Sequence, residues 1–129
     1  MKTYFENLNL NYAPIVEAVL RNPSGSKSAR VKLIIDTGFQ GGVLLPLHMY
    51  VDLRLYLFEK PHLSAITATG NRVVLRVSEV IVELGGLTVR CHAYTALGVR
   101  RSLLGREVLK EVGFLYNPPG ELKLGIKKL

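Results

Sequence analysis

The stretch Val31-Lys32-Leu33-Ile34-Ile35-Asp36-Thr37-Gly38 joins an apolar run to a polar turn that contains a glycine. Its aliphatic, mostly β-branched residues favour a buried strand, so Asp36 is expected to follow that strand directly. The chain has only one other aspartate, Asp52, which has neither a Ser/Thr-Gly after it nor a matching strand before it. If the chemistry of Asp36 needs a pair of carboxylates, the second is therefore expected to be Asp36 of another chain.

Length and composition indicate a folded globular protein. The 129 residues, 48% of them hydrophobic, are enough for one domain with its own core, and we expect a single domain over residues 1–129. No apolar stretch reaches the roughly 18 residues of a membrane-spanning helix. The N-terminus lacks the apolar region of a signal peptide. With one cysteine, Cys91, no intramolecular disulfide is possible, and we expect a cytoplasmic protein with no membrane contact.

The chain is basic, with 17 Lys and Arg against 10 Asp and Glu and a net charge of +7. We interpret these charged residues mainly as a solvated surface that keeps the protein in solution. Attraction to acidic substrates or to nucleic acid is the alternative. No basic motif interleaved with aromatic residues is present, so the sequence does not favour nucleic acid as a partner. A nucleic-acid mobility-shift assay at several salt concentrations would detect such binding.

The remaining chain predicts short strands separated by turns about every ten residues, typical of an all-β barrel or sandwich. The expected strands are Asn9–Arg21, Val31–Ile35, Val43–Leu45, Leu63–Ala68, Asn71–Leu84, Leu87–Ala96, Leu103–Leu104, Phe114–Tyr116 and Leu122–Leu124. Asn22–Ser28 is expected to be a loop and Gly85-Gly86 a hairpin turn. Pro46–Leu53 predicts one or two helical turns, and Arg106–Val112 a short helix that ends at Gly113.

Three segments, in this order, resemble the retropepsin-like aspartic proteases, which are single-domain homodimers. Leu33-Ile34-Ile35-Asp36-Thr37-Gly38 is similar to the active-site loop of that family. Thr67-Ala68-Thr69-Gly70-Asn71-Arg72 falls where its flap hairpin is expected. Leu103-Leu104-Gly105-Arg106-Glu107-Val108-Leu109 is similar to its Leu-Leu-Gly-Arg-Asp/Asn segment before the C-terminal helix. The resemblance covers roughly residues 10 to 126.

The resemblance implies an all-β, closed barrel that is half of a pepsin, with one short C-terminal helix, and that forms a homodimer. It implies that Asp36 is the catalytic carboxylate, that Thr37 hydrogen-bonds across the dimer, and that Gly38 lets the backbone approach without a Cβ.

It further implies a flap tip over the substrate, formed by Thr69, Gly70 and Asn71. Leu104, Gly105 and Arg106 would support the site structurally. From the residues alone, Asp36 could instead cap its turn, and Thr69 to Asn71 could be an inert hairpin turn.

The chain departs from the family pattern at two places. Phe39 stands where the family has Ala or Ser, and its ring would line the substrate cleft, narrow it, or move the loop. Glu107 stands where the family has Asp or Asn, which would alter any structural ion pair made by that acid.

Other catalytic chemistries have little support. His48, His62 and His92 show no metal-ligand spacing, and with one cysteine no zinc site, other metal site or cofactor is expected. Cys91 and His92 are adjacent on a predicted strand and point to opposite faces, so they would not form a nucleophile and base pair. Cys91 is expected to be a small core residue.

The sequence therefore predicts an aspartic endopeptidase that acts on extended peptide or unfolded protein as a homodimer. The alternative is a non-catalytic module of the same fold that dimerises or binds peptides. A third alternative, which rests only on the net charge, is a basic nucleic-acid-binding β-barrel.

Overall fold

The computed structural model describes residues 1–6, 11–61, 63–66 and 72–126, with the backbone alone at 63–66, 72 and 73. Its strands are β1 (Lys2–Glu6), β2 (Ala13–Arg21), β3 (Ser28–Ile35), β4 (Val43–Leu44), β5 (Leu63–Ile66), β6 (Arg72–Leu84), β7 (Leu87–Thr95), β8 (Leu103–Leu104), β9 (Phe114–Asn117) and β10 (Glu121–Leu124). Its helices are α1 (Leu47–Asp52), a 3-10 helix (Leu55–Phe58) and α2 (Arg106–Val112). Among these described helices, none has the length and apolar content to cross a membrane.

The all-β class is confirmed, and α2 has the predicted bounds. Two elements were not predicted. β1 has charged residues at both ends and becomes a strand by pairing with β2, from Lys2↔Glu17 to Glu6↔Ala13. The 3-10 helix follows Arg54, whose φ of 56° lies in the left-handed region and turns the chain there.

One sheet contains eight strands in the order β1-β2-β3-β8-β4-β7-β6-β5, and β9 pairs with β10 in a second sheet. β2 also pairs with β6, from Val19↔Glu83 to Arg21↔Ile81. The large sheet therefore curls back on itself. The sequence predicted a closed barrel, and the β2–β6 pairing is the part of that closure that the described strands show. β1 and β5 are the first and last strands in the sheet order.

The short strand β8 lies between β3 and β4. Ile35 of β3 pairs in parallel with Leu104, and Val43 of β4 pairs with Leu104 in antiparallel orientation. The chain from 36 to 42 must therefore cross the end of β8 on its way from β3 to β4. This topology places Asp36 directly beside the segment that follows Leu104.

The core holds these strands in position. In β3, Val31, Leu33 and Ile35 are buried while Lys32 is exposed, which is the two-residue period of a strand with one face in a core. The helix α2 buries Val108 and its neighbours Leu109 and Val112. Each such fully buried aliphatic side chain stabilises the fold by about 1.5–3 kcal/mol.

A polar network fixes α1 and the 3-10 helix to β6. The Tyr50 hydroxyl, on a fully buried side chain, donates to Glu59 Oε2 at 2.8 Å. Arg76 donates to the same carboxylate through Nε at 2.8 Å and Nη2 at 3.0 Å. Burial, followed by the hydrogen bond to Glu59, raises the pKa of Tyr50, so the hydroxyl remains a donor well above neutral pH. The network holds the base of the β5–β6 hairpin.

Glu59→Ala is expected to lower the free energy of unfolding by about 1–3 kcal/mol, because it leaves the buried Tyr50 hydroxyl without its acceptor. Tyr50→Phe in the Glu59→Ala background should then cost less than it does in the wild type. Urea unfolding at pH 7 of the four proteins of this cycle measures the coupling. Strictly additive losses would show that the two side chains do not stabilise each other.

Candidate active site

Asp36 lies in a tight turn at the end of β3, and its backbone N–H donates to the Leu104 carbonyl at 2.9 Å. The Gly38 N–H donates to Asp36 Oδ1 at 2.8 Å, and the Phe39 N–H donates to the Asp36 carbonyl at 3.2 Å. The Asp36 side chain is half-buried, whereas Thr37 and Gly38 are exposed. The carboxylate thus has a fixed orientation, with one oxygen held by the turn.

The segment from Gly105 to Glu107 is hydrogen-bonded to the 36–42 loop and holds it in place. The N–H groups of Gly105, Arg106 and Glu107 donate to the carbonyls of Gly42 (2.8 Å), Phe39 (2.8 Å) and Gly41 (3.2 Å). The first backbone N–H groups of a helix have no partner within the helix. Carbonyl groups of the 36–42 loop accept hydrogen bonds from these N–H groups at the start of α2, so the loop and the helix are fixed together.

Glycines make this close approach possible. A Cβ on Gly105 would collide with the carbonyl oxygen of Gly41 and lie 2.7 Å from that of Phe39. A Cβ on Gly42 would lie 2.6 Å from the Cys91 sulfur. The 36–42 loop therefore packs against both β7 and the segment after β8 with no room for side chains at these positions.

The half-buried ring of Phe39 is part of the packing of this loop. It meets the Tyr94 ring edge-to-face, with centroids 5.7 Å apart and planes at 86°. It also lies against Gly41 and Gly105. The Phe39 ring thus packs against the 36–42 loop and supports it. Its role in substrate binding remains a prediction.

Phe39→Ala is expected to destabilise the protein by about 3 kcal/mol, the low end for removing a phenylalanine from a core, because the ring is half-buried. Any activity that depends on the Asp36 turn should fall with it. Thermal unfolding and activity are compared with those of Phe39→Leu, which keeps most of the apolar volume. A Phe39→Ala protein of unchanged stability would show that the contact with Tyr94 contributes little.

Glu107 fixes α2 to β7 through His92. The His92 backbone N–H donates to Glu107 Oε1 at 3.0 Å, and the His92 ring Nδ1 lies 2.8 Å from Oε2. From the sequence, Glu107 was noted only as a departure from the family pattern, and no role was predicted for His92. No local signal could have joined them, because they are 15 residues apart.

Cys91 is buried, as predicted for a core residue. Burial, and then the charge of Glu107, raises the pKa of its thiol to about 12. Since a nucleophilic cysteine reacts as its thiolate, Cys91 is unsuited to catalysis at neutral pH. Burial, followed by the charge of Glu107, also raises the pKa of the Tyr94 phenol.

The structure brings most of the predicted site residues together. Leu104 and Gly105 are buried beside the Asp36 turn, and Arg106 is exposed next to them. The predicted flap tip of Thr69, Gly70 and Asn71 lies outside the described residues. The strands on either side of it do form a hairpin, in which β5 pairs with β6 from Leu63↔Leu75 to Ile66↔Arg72.

Asp52 does not belong to this site. It is the exposed last residue of α1, whereas Asp36 follows β3. In the described part of the chain, no group of three or more His, Cys, Asp or Glu side chains is arranged to hold a metal ion. One chain therefore contributes one aspartate to the turn.

No protein-family model matches the chain, and no curated protein matches it. Among solved structures, 16 chains match. One is the EIAV protease in complex with the inhibitor HBY-793, with a TM-score of 0.58 and 18% sequence identity. The match covers 84% of this chain and 95% of that chain. The chain thus has an all-β, retropepsin-like fold, and the solved structure named here is that of a protease.

Proposed function

We propose that this protein is an aspartic endopeptidase whose active site contains Asp36 from each of two copies of the chain. The observation that carries the proposal is the position of Asp36 in a retropepsin-like fold. It lies on a turn that is hydrogen-bonded to Leu104 and supported by the start of α2. This rigid support is what a catalytic carboxylate requires, because small displacements of a reacting group are costly.

In the proposed mechanism, a water molecule lies between the two Asp36 carboxyl groups, which share one proton. The ionised carboxylate takes a proton from the water as the oxygen attacks the peptide carbonyl carbon. The protonated carboxyl gives its proton to the carbonyl oxygen. The carboxyl that took its proton from the water then gives that proton to the leaving nitrogen as the C–N bond breaks. One hydroxyl of the tetrahedral intermediate returns its proton to the other carboxylate, which leaves a carboxylic acid product and restores the one-proton pair. The hydrogen bond from Gly38 to Asp36 Oδ1 orients each carboxyl group for these transfers.

The architecture supports a proposal for the substrate class. A peptide can add as a strand only when it is extended, and the β5–β6 hairpin would provide the covering strands. Thr69, Gly70 and Asn71 would close over the peptide, and Thr37 would bond across the two-fold axis. Unfolded or extended polypeptide is therefore the expected substrate.

The alternative is a non-catalytic module of the same fold that dimerises or binds peptides. One observation favours it: Asp36 Oδ1 already accepts a hydrogen bond from its own turn. A side chain that only stabilises a turn would make the same contact. Thr37 and Gly38 would then present a binding surface without chemistry.

Cleavage of an unfolded protein, followed from pH 3 to pH 9, tests the proposal. We expect a bell-shaped profile with an acidic optimum, because the site works only while its two carboxyls hold one proton between them. A peptide with a hydroxyl-bearing tetrahedral carbon in place of the scissile amide should inhibit strongly, as it resembles the intermediate. A rate that climbs steadily to pH 9 and ignores this inhibitor would point to another mechanism.

A further inference from the structure

A groove lies beside the 36–42 loop, on the surface where α2 meets β7. Its lining residues are Gln40, Tyr94, Arg106, Glu107 and Lys110, and its volume is about 590 Å³. Gln40 belongs to the same loop as Asp36. The backbone N–H of Arg106 is bonded to the carbonyl of Phe39, the residue before Gln40. The groove therefore borders the candidate active site.

The charges that face this groove are mainly positive. Arg106 and Lys110 are both exposed and stand four residues apart on α2, the spacing that places two side chains on one helix face. The one carboxylate in the lining, Glu107, is held by the backbone and ring of His92. Within the described residues, Arg106 makes no ion pair. An arginine fork in this position matches the geometry of a carboxylate.

The groove is within reach of a bound peptide. Gln40 is four residues beyond Asp36, so their Cα atoms are at most about 15 Å apart. An extended peptide covers that distance in four or five residues, at about 3.3 Å per residue. A side chain a few residues from the scissile bond can therefore enter the groove.

We propose that the groove is a subsite for an aspartate or glutamate side chain of the substrate, which Arg106 binds with Lys110 beside it. The phenol of Tyr94 and the amide of Gln40 supply further donors in the same lining. The protein then prefers extended peptides with an acidic residue within about four or five positions of the cleaved bond. This inference rests on the proposed function and adds the substrate class to it.

Matched peptides that carry Glu or Gln at each position near the bond test the preference in two assays. The first measures kcat/KM for cleavage by the wild type. The second measures peptide binding to Asp36→Asn by fluorescence anisotropy, which needs no turnover. In both we expect the Glu peptide to be favoured about tenfold at one position, as for one charge-assisted hydrogen bond.

Variants assign the preference to the groove. Arg106→Gln keeps the backbone N–H that binds Phe39 and removes the guanidinium, so the preference for Glu should disappear. Lys27→Gln removes the same charge from the exposed turn before β3, at the end of that strand opposite Asp36, and should leave the preference intact. If Glu and Gln peptides gave equal kcat/KM with the wild type and equal binding to Asp36→Asn, the proposed subsite would be refuted. A preference that survives in Arg106→Gln would refute it as well. Binding that favours Glu without any cleavage would keep the subsite and refute the proposed peptidase activity.

Discussion

Asp36→Asn is expected to lower peptide cleavage by a factor of about 10² to 10⁴ or more, because an amide can neither take nor give the transferred proton. The fold should be retained. The Asn side-chain oxygen can still accept the Gly38 N–H, and the bond from the Asp36 backbone to Leu104 does not involve the side chain. Cleavage of an unfolded protein and circular dichroism, measured on the same sample, test both statements.

Asp52→Asn is the matched control, since it makes the same chemical change at the chain's other aspartate, exposed at the end of α1. Its activity should equal that of the wild type. Near wild-type activity in Asp36→Asn would remove Asp36 from the mechanism. A loss in both variants would point to a shared effect on the fold.

Gly105→Ala has the largest expected effect on stability. Adding one methyl group to a packed site costs about 1–3 kcal/mol, and more where nothing can move. The new Cβ would meet the backbone carbonyls of Gly41 and Phe39, which are held by hydrogen bonds to Gly105's own neighbours. We therefore expect a loss of more than about 3 kcal/mol and a displaced Asp36 turn.

Gly86→Ala is the control for Gly105→Ala, because a Cβ at Gly86 would meet no atom within 4 Å. Urea unfolding of both variants measures the difference. If Gly105→Ala were as stable as Gly86→Ala, the close packing of the loop on the start of α2 would not hold in solution.

The parts of the structure that could be predicted from the sequence depend on local signals. The apolar run before Asp36, the glycine after Leu104 and the spacing of apolar residues in α2 each mark an element by short-range physics. Their order along the chain supports the retropepsin-like resemblance, and in the fold these segments are hydrogen-bonded to one another. The role of Leu104 and Gly105 beside Asp36 was an implication of that resemblance.

The parts that could not be predicted depend on contacts between distant residues. β1 is a strand because β2 lies beside it, and nothing in Lys2–Glu6 alone requires this. Only the folded chain brings Glu107 into contact with His92 and lets Glu59 accept hydrogen bonds from both Tyr50 and Arg76. Phe39 shows the same limit: the sequence predicted a ring that lines or narrows the substrate cleft or moves the loop, and its contact with Tyr94 could be seen only in three dimensions.

The central claim is that one active site needs Asp36 from two chains, and mixing the wild type with a ninefold excess of Asp36→Asn tests it most directly. Differently tagged chains, co-purified from the mixture, verify that subunits exchange. If the site is shared, most wild-type chains will pair with an inactive partner, and activity per wild-type chain will fall to roughly one tenth. Unchanged activity per wild-type chain, with exchange demonstrated, would show that a single chain holds a complete site and would contradict this account.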